Sequence, residues 1–407
     1  MKRSRKICVI GLGYIGLPTA SLLATKGFKV VGVDVNEEAV RLINDGKIHI
    51  VEPDLDILVK SAVNSGNLSA SLKPEEADFF IIAVPTPFKD GHQPDLSYVE
   101  AATEAIIPYL SEGNLVVLES TSPVGTTDMI HSRILKARKE LEGRIFSAHC
   151  PERVLPGHIL RELVDNDRII GGVDKASTEK AVELYSSFVN GSIFPTNAKT
   201  AELTKLVENS YRDVNIAFAN ELSMICYDLD INVWEVIEFA NKHPRVNILK
   251  PGPGVGGHCI AVDPWFVVHA SPGLSRLIKT AREVNDSKPV HVIHRIKEKA
   301  ARFKEPCIAC LGLSYKANID DLRESPAVEI VERLSDEKVG RLLVVEPHIE
   351  ALPKALLKRE NVELTDFASA FSKADIIALL VDHTDFFKAD REKLKEKVVI
   401  DTRGIWA

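Results

Sequence analysis

The sequence has no apolar run approaching the roughly 18 to 20 residues that a membrane-spanning helix needs. It also lacks a basic excess. Fifty-one Lys and Arg stand against fifty-eight Asp and Glu, a formal charge of −7, which argues against a broad phosphate-neutralising face for nucleic acid and leaves room only for a local basic pocket. Cysteine is sparse. The six (Cys8, Cys150, Cys226, Cys259, Cys307, Cys310) are scattered, which fits a reducing cytoplasm better than a disulfide framework. Cys307 and Cys310 form a CxxC, but the apolar run Cys307 to Leu313 reads as a strand. Residues three apart on a strand face opposite ways, so the pair is a poor clamp and no metal is expected. The stretch Met1 to Phe28 opens basic and turns apolar like a secretory leader, yet Lys26, Lys29 and the want of a convincing cleavage site argue against one. The expectation is a soluble, cytoplasmic protein without membrane or nucleic-acid partners.

What is present is an ordinary globular composition, 45% hydrophobic and 27% charged over 407 residues, enough for two or three domains. The first third alternates strand and helix signals. Apolar runs at Lys6 to Ile10, Lys29 to Asp34, Phe79 to Val84, Leu115 to Glu119, Arg144 to Ala148 and Arg168 to Gly172 read as buried strands, and their alternation with helices predicts a parallel, doubly wound α/β sheet. From Ala198 to Asp230 apolar residues recur at helical spacing without proline or glycine, predicting one long helix that joins two domains. Cys307 to Leu313, Arg341 to Val345, Asp375 to Val381 and Lys397 to Asp401 predict strands of a second α/β unit, with a helix near Pro326 to Leu334. The division expected is an α/β domain over 1–197, a helical middle over 198–302, and a second α/β domain over 303–407.

Gly11-Leu-Gly13-Tyr-Ile-Gly16 follows the first strand and opens a helix. In that setting the three glycines serve a tight turn, close approach of backbone to a pyrophosphate, and close helix–strand packing. The helix N-terminus adds free N–H groups and a positive dipole end. Asp34 ends the second strand eighteen residues after Gly16, near the interval for an acid that accepts both ribose hydroxyls and repels a 2′-phosphate, which favours NAD over NADP. Pro85-Thr86-Pro87 and Thr121-Ser-Pro123 lie just beyond strand ends, where either ligand contacts or plain turn chemistry would place such residues.

Pro251-Gly-Pro-Gly-Val-Gly-Gly-His-Cys259 is the sharpest signal for chemistry. Four glycines let the loop approach a ligand and hold the thiol in a constrained place. Asp263-Pro264 reads as the cap and first position of a helix, so Cys259 falls near a helix N-terminus, a location that favours the nucleophilic thiolate. On the long helix Lys205 and Asn209 share a face with Arg212, either as a solvated stripe or as one wall of a substrate cleft. Glu152 and Arg153 follow a strand in Cys150-Pro-Glu-Arg; Glu152 is either a surface carboxylate or a general base.

Taken together, GLGYIGLP, VPTP, ESTSPVGTT, PERVLPG, ELTKLVENSYRDVNIAFANEL, PGPGVGGHC and GLSYKANIDDLRESPA, in that order along nearly the whole chain, resemble the nucleotide-sugar 6-dehydrogenase family, which includes the UDP-glucose and GDP-mannose dehydrogenases. Within it, HPRVN at 243–247, HCIAVDPW at 258–265 and VDHT at 381–384 resemble the UDP-N-acetyl-D-mannosamine branch. The UDP-glucose branch usually carries tyrosine and lysine where this chain has His258 and Val262. The resemblance implies a four-electron oxidation of a sugar C6 alcohol to a carboxylate with two NAD and one water. It implies Cys259 as nucleophile, Lys205 as acid/base, Asn209 and Asp263 holding water and oxyanion, and Glu152 assisting thioester hydrolysis. Beside the glycines Gly11, Gly13 and Gly16, it implies NAD contacts at Tyr14, Ile15, Asp34, Thr86, Thr121 and Arg323. Nucleotide-sugar contacts are implied at Arg153, Val154, Lys205, Asn209, Arg212 and His243, at Arg245 from a neighbouring subunit of a homodimer, and at Gly256, Tyr315 and Lys316. Arg403 stands where this branch often has lysine, which keeps the charge and changes its geometry. A UDP-N-acetyl-D-glucosamine 6-dehydrogenase and a non-catalytic NAD-binding protein on the same fold are the alternative readings.

Overall fold

The computed structural model describes residues 5–155, 157–257 and 259–406, apart from the side chain of Asp90. His258 of the cysteine loop and Pro156 of PERVLPG therefore lie outside the described residues. The chain forms two compact units: residues up to Glu208 with Trp265–Ala270, and Asn209–Pro264 with Ser271 onward.

The first unit is built on eight strands: β1 (Lys6–Ile10), β2 (Lys29–Val33), β3 (Leu68–Ser71), β4 (Phe79–Ile82), β7 (Leu115–Leu118), β8 (Phe146–His149), β9 (Arg168–Gly172) and β10 (Ile193–Asn197), with a separate hairpin of β5 (Phe88–Lys89) and β6 (Gln93–Pro94). Their order is β10-β9-β8-β7-β4-β1-β2-β3. Alternate residues of each central strand feed opposite cores. Ile7 and Val9 of β1 join one apolar cluster and Cys8 and Ile10 the other; Phe79 and Ile81 of β4 divide from Phe80 and Ile82 in the same way. A sheet buried on both faces reads in sequence as an unbroken apolar run, which is why these strands were legible. Strand order reverses about β1, whose neighbours are β2 and β4, so the crevice at their carboxyl ends is where such a sheet takes a ligand.

The sheet is not wholly parallel. β9 pairs antiparallel to β8 through Ala148↔Gly172 and His149↔Gly171, and β10 then runs parallel to β9. A buried apolar run looks the same in either direction, so sequence pattern could not show this. The short strands β3 and β10, with polar or exposed positions such as Ser69, Phe194 and Pro195, gave no such run either.

The long helix spans Ala198–Asp228, about 46 Å at 1.5 Å per residue, and the boundary between the units falls within it. The second unit holds a five-stranded, all-parallel sheet in the order β13-β12-β11-β14-β15, from β11 (Cys307–Leu311), β12 (Arg341–Val345), β13 (Val362–Leu364), β14 (Ile376–Leu379) and β15 (Val398–Asp401). Cys310 packs into the cluster on one face of this sheet and Cys307 against the cluster on the other. The fold is therefore α/β, two Rossmann-like sheets joined by a long central helix.

The second unit repeats the turn of the first. Gly11 and Gly312, both at φ 92°, follow β1 and β11. Each donates its N–H at 2.8 Å to the last carbonyl of the next strand, Val33 or Val345. The residue after each glycine then donates to an acid just beyond that strand, Leu12 to Asp34 at 2.8 Å and Leu313 to Glu346 at 2.7 Å. Only GLGYIG and GLSYKA betray this repeat in the sequence, too little to find it there.

Candidate active site

In the first unit the glycine turn is fixed by sterics. A Cβ at Gly11 would lie 2.5 Å from the Ala83 carbonyl oxygen, and one at Gly16 would lie 1.8 Å from that of Gly11. A Cβ built on Gly13 would meet no atom of the described residues beyond its chain neighbours within 4 Å, the open space that lets backbone meet a ligand. Asp34 is held by two backbone N–H groups, Leu12 on Oδ2 at 2.8 Å and Asn36 on Oδ1 at 2.9 Å. Tyr14 is exposed and Ile15 half-buried at the start of the helix Gly16–Thr25. The VPTP and STSP loops leave the neighbouring strands β4 and β7, and side chains stitch them together: the Thr86 hydroxyl donates to the Thr121 carbonyl at 2.6 Å and that of Ser120 to the Val84 carbonyl at 2.7 Å.

Glu152 is not a surface carboxylate. It is buried and ion-paired with the buried Arg168. Behind it Glu119 accepts a hydrogen bond from the Tyr185 hydroxyl at 2.5 Å; burial, and then the neighbouring Glu152 charge, push the Glu119 carboxyl up to about 8. Sequence reading missed Glu119, Arg168 and Tyr185, because each sits in an otherwise apolar stretch and their meeting is tertiary. Burial also drives His149 down to about 3. Arg153 spans to Glu208 at 2.8 Å, with Val154 half-buried beside it. Lys205 is half-buried on the long helix.

In the second unit Asn209 is buried, and its Nδ2 donates to Asp263 Oδ2 at 2.5 Å; of the stripe read on this helix, Arg212 is the exposed member. Cys259 is exposed on a turn. Its carbonyl accepts the N–H groups of Val262 at 3.1 Å and Asp263 at 2.9 Å, and the helix Asp263–Ala270 begins there. The glycine loop is pinned by tyrosine: a Cβ on Gly256 would fall 2.8 Å from the Cβ of Tyr315, and one on Gly257, at φ 85°, would strike its ring. Tyr315, Lys316 and Arg403 line a cavity of about 260 Å³ with Pro253, Gly254 and the first residues of the helix Pro326–Asp336. Asp382 lines it too and pairs with Arg403 at 2.9 Å, so Lys316 and the helix N-terminus are what chiefly suit this cavity to an anion. Arg323 forks onto Asp321 at 2.6–3.1 Å, and its carbonyl takes the Gly257 N–H at 3.3 Å. His243 and Arg245 are exposed.

Beneath the anion cavity Glu346 and His383 are buried. Glu346 accepts the Leu313 and Ser314 N–H groups, and His383 Nδ1 accepts that of Asn318 at 2.9 Å, so the loop bearing Tyr315 and Lys316 is braced at both ends. Glu346, His348 and His383 lie close enough for a metal ion. With Nδ1 accepting, however, Nε2 carries the proton and donates to Glu346 at 3.0 Å, which leaves His383 no lone pair for a metal.

Three family models cover the chain: the NAD binding domain of the UDP-glucose/GDP-mannose dehydrogenase family over residues 5–189, its central domain over 199–287, and its UDP binding domain over 309–407. The chain belongs to this family. As a UDP-glucose/GDP-mannose dehydrogenase family member it is an NAD-dependent oxidoreductase, and the glycine turn, the space at Gly13 and the placed Asp34 fit that cofactor. It is 61% identical to an NDP-N-acetyl-D-galactosaminuronic acid dehydrogenase of Ralstonia nicotianae, over 99% of this chain and 96% of that one. It is 56% identical to a UDP-N-acetyl-D-mannosamine dehydrogenase of Campylobacter jejuni, over 97% and 99%. Among solved structures, a UDP-D-ManNAc dehydrogenase from Pyrococcus horikoshii superposes with a TM-score of 0.88 at 39% identity, covering 98% of this chain and 96% of that one. Among the described residues no helix is long and apolar enough to cross a membrane.

Proposed function

We propose that this family member oxidises the C6 alcohol of UDP-N-acetyl-D-mannosamine to UDP-N-acetyl-D-mannosaminuronate through a covalent intermediate on Cys259. The observation that carries the proposal is the coupling of the exposed Cys259 turn to the Asn209–Asp263 hydrogen bond. An alcohol dehydrogenase that released a carbonyl would need no such thiol.

NAD, held by the glycine turn, Tyr14, Ile15, Asp34, Thr86, Thr121 and Arg323, supplies the hydride acceptor in both oxidations. Lys205 takes the C6 hydroxyl proton in the first. The Cys259 thiolate then adds to the aldehyde carbon, forming a C–S bond and an oxyanion that Asn209 and Lys205 stabilise. Loss of a second hydride leaves a thioester on Cys259. Water, held by Asp263 and activated by Glu152, cleaves the C–S bond, so the acid departs and the thiolate returns. Tyr315, Lys316 and Arg403 take the diphosphate, with Arg153, Val154, Arg212, His243 and Gly256 along the nucleotide sugar. Arg245 serves a partner copy in a homodimer built on the middle segment 198–302, between a cofactor domain over 1–197 and a sugar-nucleotide domain over 303–407.

A second reading, the galacto-configured 2-acetamido sugar, is favoured by the 61% identity to the Ralstonia nicotianae enzyme. A panel of UDP-N-acetylmannosamine, UDP-N-acetylgalactosamine, UDP-N-acetylglucosamine and UDP-glucose, read as NADH formed, decides between them. Two NADH per sugar are expected, with the manno sugar giving the highest kcat/KM. The covalent step is tested with the aldehyde as substrate. Cys259→Ala should make almost no acid, whereas Lys205→Ala should retain conversion while losing about 10²- to 10⁴-fold in the first oxidation. Acid formed by Cys259→Ala at near the normal rate would sink the thioester.

A further inference from the structure

Lys288, His291 and Arg295 lie at i, i+3 and i+7 on the helix Arg276–Ala300, so they share one face. Lys288 is 3% exposed. Its ammonium meets the Ser223 hydroxyl at 2.5 Å and the Asn220 carbonyl at 3.5 Å, both neutral acceptors. The Arg295 guanidinium lies 4.4 Å over the Tyr227 ring, and its Nε is buried with no hydrogen-bond partner. Among the described residues no carboxylate comes within the 4.0 Å of an ion pair to either cation. The nearby acids are engaged elsewhere. Asp401 accepts the N–H groups of Arg403, Gly404 and Trp406, and Glu298 accepts the Tyr227 hydroxyl at 2.8 Å. His291 brings no negative charge and is itself driven down to about 4, by burial first and then by Lys288 and Arg295.

Buried charges are normally paired, because desolvating an ion without a counter-charge costs several kcal/mol. Here two neighbouring cations share that cost, and Lys288 is pushed down to about 7, by burial and then by Arg295. Both line a cavity of about 160 Å³ together with Ser223, Tyr227, Trp234, Gly252 and Asp401, whose carboxylate is taken up by the three N–H groups of its own turn and lies beyond ion-pair distance of either cation. This cavity shares no lining residue with the one formed by Tyr315, Lys316 and Arg403.

We propose that the Lys288–Arg295 cavity is a second anion site, separate from the nucleotide-sugar site, and that it takes a small free oxyanion of the phosphate class. The anion supplies the missing counter-charge to both cations, and the Ser223 hydroxyl and Trp234 bound the space it fills. Gly252 lies both on this cavity and at the start of the glycine loop, so the bound anion also steadies the segment that leads to Cys259.

The test is calorimetric titration of inorganic phosphate into the whole protein at constant ionic strength. Saturating NAD is present, and Lys316→Gln takes one of the two cations from the other basic cavity. One phosphate per chain is expected, binding at least tenfold more weakly when Lys288→Gln or Arg295→Gln is added. No phosphate binding to the Lys316→Gln protein, or binding unchanged by both further substitutions, overturns the proposal. If either further variant fails to fold, the melting temperature of the Lys316→Gln protein decides. A saturable rise with millimolar phosphate over chloride supports the site, and no rise overturns it.

Discussion

Asp34 shows how little of a residue's role lies in its own side chain. Both of its oxygens already hold backbone, at Leu12 and Asn36, so the carboxylate is fixed in place before any ribose arrives. Asp34→Ala should therefore weaken NAD binding and remove the repulsion of a 2′-phosphate. The expected fall in the ratio of kcat/KM for NAD over NADP is at least tenfold, and equal use of both cofactors by the unaltered enzyme would contradict it. His149 gives a residue-level prediction of another kind. Its folded value of about 3 lies below the unfolded value of about 6.5. Between these values the unfolded chain binds the extra proton, so the stability His149 contributes is intact above pH 6.5 and is lost as pH falls towards 3. The slope is about 1.4 kcal/mol per pH unit. His149→Leu should flatten the loss of stability between pH 6 and 4.5 by about 2 kcal/mol, as measured by urea unfolding at both pH values.

At the scale of elements, a buried polar chain ties the long helix to the helix Arg276–Ala300. Asp213 pairs with Arg282, both fully buried. Asn285 donates to Asp213 at 2.8 Å, Asn220 to Asn285 at 2.8 Å, and the Gly252 N–H to Asn220 at 2.9 Å. Arg282 reaches the Ile260 carbonyl at 3.3 Å as well, so both ends of the cysteine loop hang from this network. Arg282 also reaches Asp286 at 2.8 Å, so it is removal of Arg282 that leaves a buried charge, Asp213, without a counter-charge. Such a loss typically costs about 3–5 kcal/mol, whereas replacing both partners with apolar residues is much milder. Arg282→Met should destabilise by about that amount, and Asp213→Leu combined with Arg282→Met should recover a large part of it. A double-mutant cycle in denaturant checks this, and strictly additive losses would show that the pair is not coupled.

At the scale of the whole molecule the long helix leaves Leu203, Val207, Tyr211, Phe218 and Ile225 exposed, at spacings of four and seven that keep them on one stripe. Such a stripe is the surface that the proposed homodimer would bury. Light scattering at micromolar concentration should give about twice the 44.9 kDa chain mass. Phe218→Glu should shift the mass towards the monomer and lower activity, because Arg245 would lose its neighbour's site. A fully active monomer would remove the dimer from the account.

The amino-acid sequence by itself determined the α/β class, the glycine turn, Asp34, the long helix and the cysteine loop. These depend on short-range patterns: apolar runs, helical spacing, and glycines where a Cβ would collide. Tertiary structure alone decided the antiparallel β9, the repeat of the turn at Gly312, and the burial of Glu152 against Arg168. It also set the Asn209–Asp263 bond, across 54 residues, and the meeting of Lys288 and Arg295 with no carboxylate among the described residues at ion-pair distance. Strand direction, the partner of a buried charge and the lack of one are properties of what packs alongside. Neighbours distant in sequence leave no local pattern to read.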